Sequence, residues 1–301
     1  MVTAVYSHPA CLGHDPIEGH PESPDRLRAV LRALKQPEFA GLAWHEAPEA
    51  THEQILRVHT AHVLEAVLSG KDRVIDADTA IAPGSCAAAL RAAGAVCAAV
   101  EEVLNGRADN AFAAIRPPGH HAEPGQSMGF CLFNNIAIGA LHAQSLGVGK
   151  VAVLDFDVHH GNGTQATAWD DAGFFFASTH QWPLYPGSGA RSETGAHDNI
   201  LNVPLQAGCG SGLFRQVWAE VILPRVRDFA PDLVFISAGF DAHRADPLGG
   251  LGLHADDFGW LTAEICRIAG NRVISSLEGG YDLVALAESA AAHVRALQGR
   301  A

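Results

Sequence analysis

Short apolar runs alternate with longer amphipathic stretches along the whole chain. Runs rich in β-branched, aromatic and Ala residues, bounded by Gly, Pro or Asp, predict buried strands. They fall at 2–7, 111–115, 151–154, 174–180, 199–205, 232–237 and 272–277. Helical periodicity fills the gaps. A helix capped by Ser23 with Pro24 in its first turn carries the stripe Leu27, Val30, Leu31 and Leu34. Further helices are predicted over 51–68 with a break near His59-Thr60, and over 85–104, 135–145, 164–169, 212–229, 256–269 and a last one to about 296. Pro224 should bend or break the 212–229 helix, and 76–85 reads as a loop. Strand–helix alternation of this kind calls for a three-layer α/β/α sandwich with a mostly parallel central sheet, buried on both faces.

The chain has 301 residues, 48% of them hydrophobic, and no linker, repeat or low-complexity tract divides it. One domain over 1–301 with a large core is expected. The formal charge is −13, and Lys35, Lys71 and Lys150 are the only lysines. Without a basic patch, nucleic-acid binding is not expected. The N-terminus has no positively charged region followed by an apolar run, and no stretch is long and apolar enough for a membrane span. The six cysteines are scattered without a Cys-x-x-Cys pair and read as reduced thiols of a cytoplasmic protein.

The polar residues collect where strands end. The 151–154 strand runs into Asp155-Phe156-Asp157-Val158-His159-His160-Gly161-Asn162-Gly163. Period-two spacing turns Asp155, Asp157 and His159 to one side. Buried carboxylates need a partner, either a metal ion or a hydrogen-bonded structural pairing. Three more strand ends are polar and glycine-rich: His120-His121 after Arg116-Pro117-Pro118-Gly119, Asp241 after Ala238-Gly239-Phe240, and Gly279-Gly280-Tyr281 after Glu278. In parallel α/β sheets ligands sit outside the carboxyl ends of the strands, so all four motifs should meet at one edge. That convergence favours the metal reading. Asp157, His159 and Asp241 form a three-ligand set suited to Zn(II), with Fe(II), Mn(II) or Co(II) compatible with the same donors. His120 and His121 are natural proton-transfer groups, and the Tyr281 phenol a donor to a developing oxyanion. Together they spell metal-assisted hydrolysis of an amide or ester.

With these motifs in order, the chain resembles the histone deacetylase superfamily, on the arginase/deacetylase fold, and within it the bacterial class II-type deacetylases. The resemblance runs from His20-Pro21-Glu22 to Tyr281. It implies zinc on Asp157, His159 and Asp241, with His121 as general base and acid and His120 as its electrostatic and proton-handling partner. Asp155 would orient His120. Asn162 would partner His121 where class I relatives have an Asp, leaving His121 less basic. It implies Tyr281 as oxyanion donor, Phe130 and Tyr185 as walls of an acyl-lysine tunnel, and Gly129, Leu248 and Gly279 as further substrate contacts. A structural potassium ion would sit on Asp155, Ser178, Thr179 and the main chain of Asp157 and His159. Arg26 matches a residue near an internal channel behind the zinc. The expected substrate is an acylated lysine peptide or a small acylated amine. An acetylpolyamine is the alternative, against which the neutral Leu248 argues. An arginase-like ureohydrolase or a non-catalytic acyl-lysine binder fits less well, because the histidines and tyrosine are all present. A homo-oligomer is compatible with all of this.

Overall fold

The computed structural model describes residues 1–15, 17–71 and 73–300. The elements follow the predicted alternation: β1 (Thr3–Ser7), α1 (Pro24–Leu34), β2 (Ala43–Glu46), α2 (His52–Leu56), α3 (Ala61–Leu68), β3 (Arg73–Val74), β4 (Ala80–Ile81), α4 (Ser85–Leu104), β5 (Asn110–Ala113) and α5 (Asn135–Ser145). The second half continues with β6 (Val151–Asp155), α6 (Asn162–Ala168), β7 (Phe174–Gln181), β8 (Ile200–Leu205), α7 (Ser211–Val217), α8 (Leu223–Phe229), β9 (Leu233–Ala238), α9 (Ala255–Ile268), β10 (Val273–Leu277) and α10 (Leu283–Leu297). Eight strands form one sheet in the order β2-β1-β5-β10-β9-β6-β7-β8, and every pairing in it is parallel. Helices α4 and α5 pack together, and α10 packs against both α1 and α9.

Burial explains why the strands read as continuous apolar runs. β6, β9 and β10 are buried at every position. β7 buries Phe174, Phe175 and Phe176 in succession, each contributing about 1.5–3 kcal/mol. The small residues of α4 allow close approach. A Cβ at Gly94 would collide with the backbone of Pro48 and Ala50, which crosses the helix there. Among the described residues, no helix is long and apolar enough to cross a membrane.

The structure corrects one local expectation and adds detail at two other places. The 76–85 loop contains β4, paired antiparallel with β3; two-residue strands carry too few side chains to leave a period. β2 went unread because Ala43–Glu46 is a four-residue edge strand, exposed at alternate positions and ending in two polar residues. The break expected near Pro224 in the 212–229 helix is present, as a π turn at Trp218–Ile222 between α7 and α8. Pro224 stands in the first turn of α8, where its missing N–H costs least, and the wider turn before it absorbs the mismatch. The π turn also buries Trp218, whose Nε1 donates to Thr179 Oγ1 at 3.2 Å.

Candidate active site

Strands β5, β10, β9 and β6 are consecutive in the sheet, so the four polar strand ends do share one edge. β6 ends at Asp155. Asp157 and His159 therefore lie in the turn beyond it, where period two no longer applies. The expectation that three side chains lean one way is corrected accordingly. Asp155 Oδ2 pairs with His120 Nδ1 at 2.9 Å, and its Oδ1 accepts the Asp157 N–H at 3.0 Å. Asp157 instead joins His159 and Asp241. His159 Nδ1 is 3.1 Å from Asp157 Oδ1 and 3.2 Å from Asp241 Oδ2.

The donor atoms of Asp157, His159 and Asp241 lie within 4.8 Å of one another, all three residues buried, and no other such group occurs among the described residues. Backbone N–H groups hold the carboxylates: Gly279 N to Asp157 Oδ2 at 2.9 Å and Val158 N to Asp241 Oδ1 at 2.8 Å. A Cβ at Gly239 or Gly279 would collide with these carboxylates, so both positions need glycine. Burial disfavours a charged imidazole at His159, yet the two carboxylates overcome it and raise its pKa to about 10. The cluster thus demands positive charge, and two oxygens plus one nitrogen suit a divalent metal.

The tandem histidines are split in character. Their rings are 4.0 Å apart. Burial opposes charge on His120, but the carboxylates of Asp157 and Asp155 outweigh it and lift the ring to about 10. His121 is pushed well below its ordinary value, first by burial and then by the neighbouring His120 and His159. Asn162 Oδ1 lies 2.8 Å from His121 Nδ1. That contact works against the lowering but does not offset burial and the two neighbouring imidazoles.

A pocket of about 250 Å³ opens above this cluster, lined by Asp78, His121, Gly129, Phe130, His159, Leu184, Tyr185, Leu248 and Tyr281. Tyr185 stands edge-on to His121, ring centroids 5.1 Å apart, and Phe130 edge-on to Tyr281 at 5.8 Å. Phe130 adopts φ 67° after Gly129 at φ 57°. For an aromatic residue that conformation costs about 1–3 kcal/mol, and it is held by the Phe130 N–H on Thr79 Oγ1 at 2.9 Å. Gly279 does not line the pocket; it braces Asp157 from behind. Ser178 faces Asp155 across the β6–β7 register. Thr179 turns its hydroxyl to Trp218. A hollow of about 360 Å³ elsewhere, beside β1 and β2, brings together no comparable set of groups.

Several residues at the site had no role assigned from sequence. Glu278 is fully buried, and its carboxylate accepts from Gly119 N at 2.7 Å and His120 N at 3.2 Å. Asp246 accepts from Tyr281 N at 2.6 Å and Leu248 N at 2.9 Å, which fixes both pocket residues. Asp78 reaches the pocket from the β3–β4 hairpin. The segment leading into α1 also brings buried charge to the site. Glu22 binds Arg116 (Nη2–Oε2 2.6 Å) and Arg26 (2.9 Å), and the Arg26 guanidinium lies 4.7 Å from the Tyr281 ring centroid. The polar character of Glu278-Gly279-Gly280-Tyr281 and of Asp246-Pro247 was the available signal, but which backbone each carboxylate would meet is a long-range matter.

The model of the histone deacetylase domain matches residues 20–297. The chain belongs to the histone deacetylase family. A histone deacetylase-like amidohydrolase of Pseudomonas aeruginosa is 41% identical over 276 residues, 87% of this chain and 73% of that protein. Chloroplastic histone deacetylase 14 of Arabidopsis thaliana is 39% identical, over 98% of this chain and 76% of its own. The crystal structure of the HDA15 HD domain superposes with a TM-score of 0.97 at 37% identity, covering 100% of this chain and 89% of that one. The eight-stranded parallel sheet is thus the histone deacetylase fold, and the family is one of deacetylases and amidohydrolases.

Proposed function

We propose that this histone deacetylase family member hydrolyses N-acyl amides, chiefly acetyl groups on lysine side chains of peptides or on small amines, with a divalent metal bound by Asp157, His159 and Asp241. The observation that carries the reading is the buried two-carboxylate, one-imidazole cluster beneath a pocket lined by His121, Tyr281, Phe130 and Tyr185. Zinc is the ion proposed, with Fe(II) or Co(II) able to use the same donors. Such an ion supplies Lewis-acid polarisation of a carbonyl and a lowered pKa for water.

The chain's own groups do the rest. Phe130 and Tyr185 flank the acyl-bearing stem and exclude water from it. His121 Nε2 takes a proton from water as its oxygen attacks the acyl carbon, then delivers a proton to the amine nitrogen as the C–N bond breaks. His120, paired with Asp155, keeps a positive charge beside His121. The Tyr281 hydroxyl donates to the oxyanion that forms at the acyl oxygen. Asp155, Ser178 and the main chain of Asp157, His159 and Thr179 are proposed to hold potassium behind the site; all are hard oxygen donors, as an alkali cation requires.

A second reading, an acetylpolyamine substrate, draws support from Asp78, a carboxylate at the pocket that favours a cationic chain. Leu248, apolar and in the same lining, argues the other way. Measuring kcat/KM on a panel of acyl-lysine peptides and N-acetylpolyamines separates the two. Preference for peptides is expected; higher kcat/KM on the polyamines reverses the substrate assignment, and no turnover on either by the zinc-loaded enzyme removes the proposed activity.

A further inference from the structure

We propose that Glu123 is the positioning residue that makes His121 a usable base, acting through the side-chain amide of Asn162. The inference rests on the role proposed for His121. The Asn162 amide has two short contacts, besides longer ones from Nδ2 to His121 O and Met128 Sδ, both at 3.4 Å. Its Oδ1 is 2.8 Å from His121 Nδ1, and its Nδ2 donates to Glu123 Oε1 at 2.8 Å. A carboxylate accepts only, so Glu123 compels the amide to turn Nδ2 toward it. Oδ1 is then the atom left for His121. An amide oxygen also accepts only, so His121 must carry its proton on Nδ1. The lone pair of the neutral ring falls on Nε2, the nitrogen needed in the pocket. A flipped amide would set Oδ1 against the Glu123 carboxylate and Nδ2 against His121 Nδ1, favouring the wrong tautomer.

Glu123 is built to hold this position. Its backbone pairs with Gln126 in both directions, at 2.9 and 3.3 Å. Buried His59 accepts the Asn134 N–H on Nε2 at 2.8 Å and therefore donates from Nδ1 to Glu123 O at 3.0 Å. Among the described residues no Lys, Arg or His ion-pairs with the Glu123 carboxylate, so its charge is free to act on Asn162. The same contact accounts for a neutral residue at 162: an aspartate there would face Glu123 carboxylate to carboxylate.

The test is a set of variants assayed with an acetyl-lysine peptide. Glu123→Ala should lower kcat about 10–100-fold, as loss of a supporting hydrogen bond does, with KM nearly unchanged. Glu123→Gln, which keeps an acceptor for Asn162 Nδ2, should recover most of that loss. The decisive outcome is a reversal of sign. In the Asn162→Asp background the Glu123 charge becomes a liability, so E123A/N162D and E123Q/N162D should both turn over faster than N162D alone. Nitrogen-15 NMR of the His121 ring in zinc-free protein should show the Nδ1-protonated tautomer in the wild type and its partial loss in E123A. If E123A does not fold, the two glutamine variants carry the same comparison. Wild-type kcat in E123A and E123Q, in an enzyme that His121→Ala inactivates, overturns the inference alone. Wild-type kcat in His121→Ala overturns the reading on which it rests.

Discussion

His121 and His293 are both buried imidazoles, and burial depresses both, His293 to about 3 and His121 well below its ordinary range. Their surroundings differ. His293, on α10, lies among the rings of Phe112, Phe156 and Phe240. Thr262 Oγ1 gives its proton to Phe258 O, so it accepts from His293 Nδ1 at 2.6 Å; Ser275 Oγ then donates to His293 Nε2 at 2.8 Å. Both nitrogens are spent. His121 spends one nitrogen on Asn162 and keeps the other, in a pocket that it lines with His159 and Tyr281. A depressed pKa therefore does not mark a working histidine. A nitrogen left for substrate does.

Removing each histidine in turn gives the largest contrast. His121→Ala should lower kcat by about 10²–10⁴-fold, the usual worth of a proton-transfer group, with a thermal midpoint near wild type. His293→Ala should leave kcat per folded molecule unchanged. A His293 variant that folds normally yet loses turnover would dissolve the distinction. Tyr281→Phe comes next, with kcat reduced about 10²–10³-fold, as for loss of an oxyanion donor, and substrate binding retained. A kcat near wild type for that variant removes Tyr281 from the chemistry.

Stability effects are smaller. His293→Ala leaves two buried hydroxyls without their partner and should cost about 1–3 kcal/mol in urea unfolding. The pH response follows from the same group. Its folded pKa of about 3 lies below the unfolded value near 6.5, so in that window the unfolded chain binds the extra proton. The stabilisation from a neutral His293 is complete above pH 6.5 and lost as pH falls toward 3, at up to about 1.4 kcal/mol per pH unit. His293→Ala should make the stability–pH curve shallower there; an unchanged slope contradicts the assignment.

The same contrast explains what the sequence could reveal. The strand–helix alternation, the order of the polar strand ends and their meeting at one edge were legible, because buried parallel strands leave long apolar runs and α/β sheets bind at their carboxyl ends. The fate of Asp155 was not legible from spacing alone, since β6 stops there and the turn beyond redirects Asp157 and His159. Nor were the roles of Glu278, Asp246 and Glu123. Each acts on backbone or amide groups distant in the chain, 158 residues away for Glu278 and His120, and such pairings leave no local period. β3 and β4 escaped for the opposite reason, being too short to have one.

Amide hydrolysis is proposed to depend on a metal held by Asp157, His159 and Asp241. The most direct measurement is turnover of a fluorogenic acetyl-lysine by the intact chain, with bound metal counted before and after chelation and after return of zinc. Turnover should disappear with the metal, return at about one equivalent of zinc per site, and resist restoration in Asp241→Ala. Turnover that survives complete metal removal, or that zinc restores equally in Asp241→Ala, would contradict the proposal.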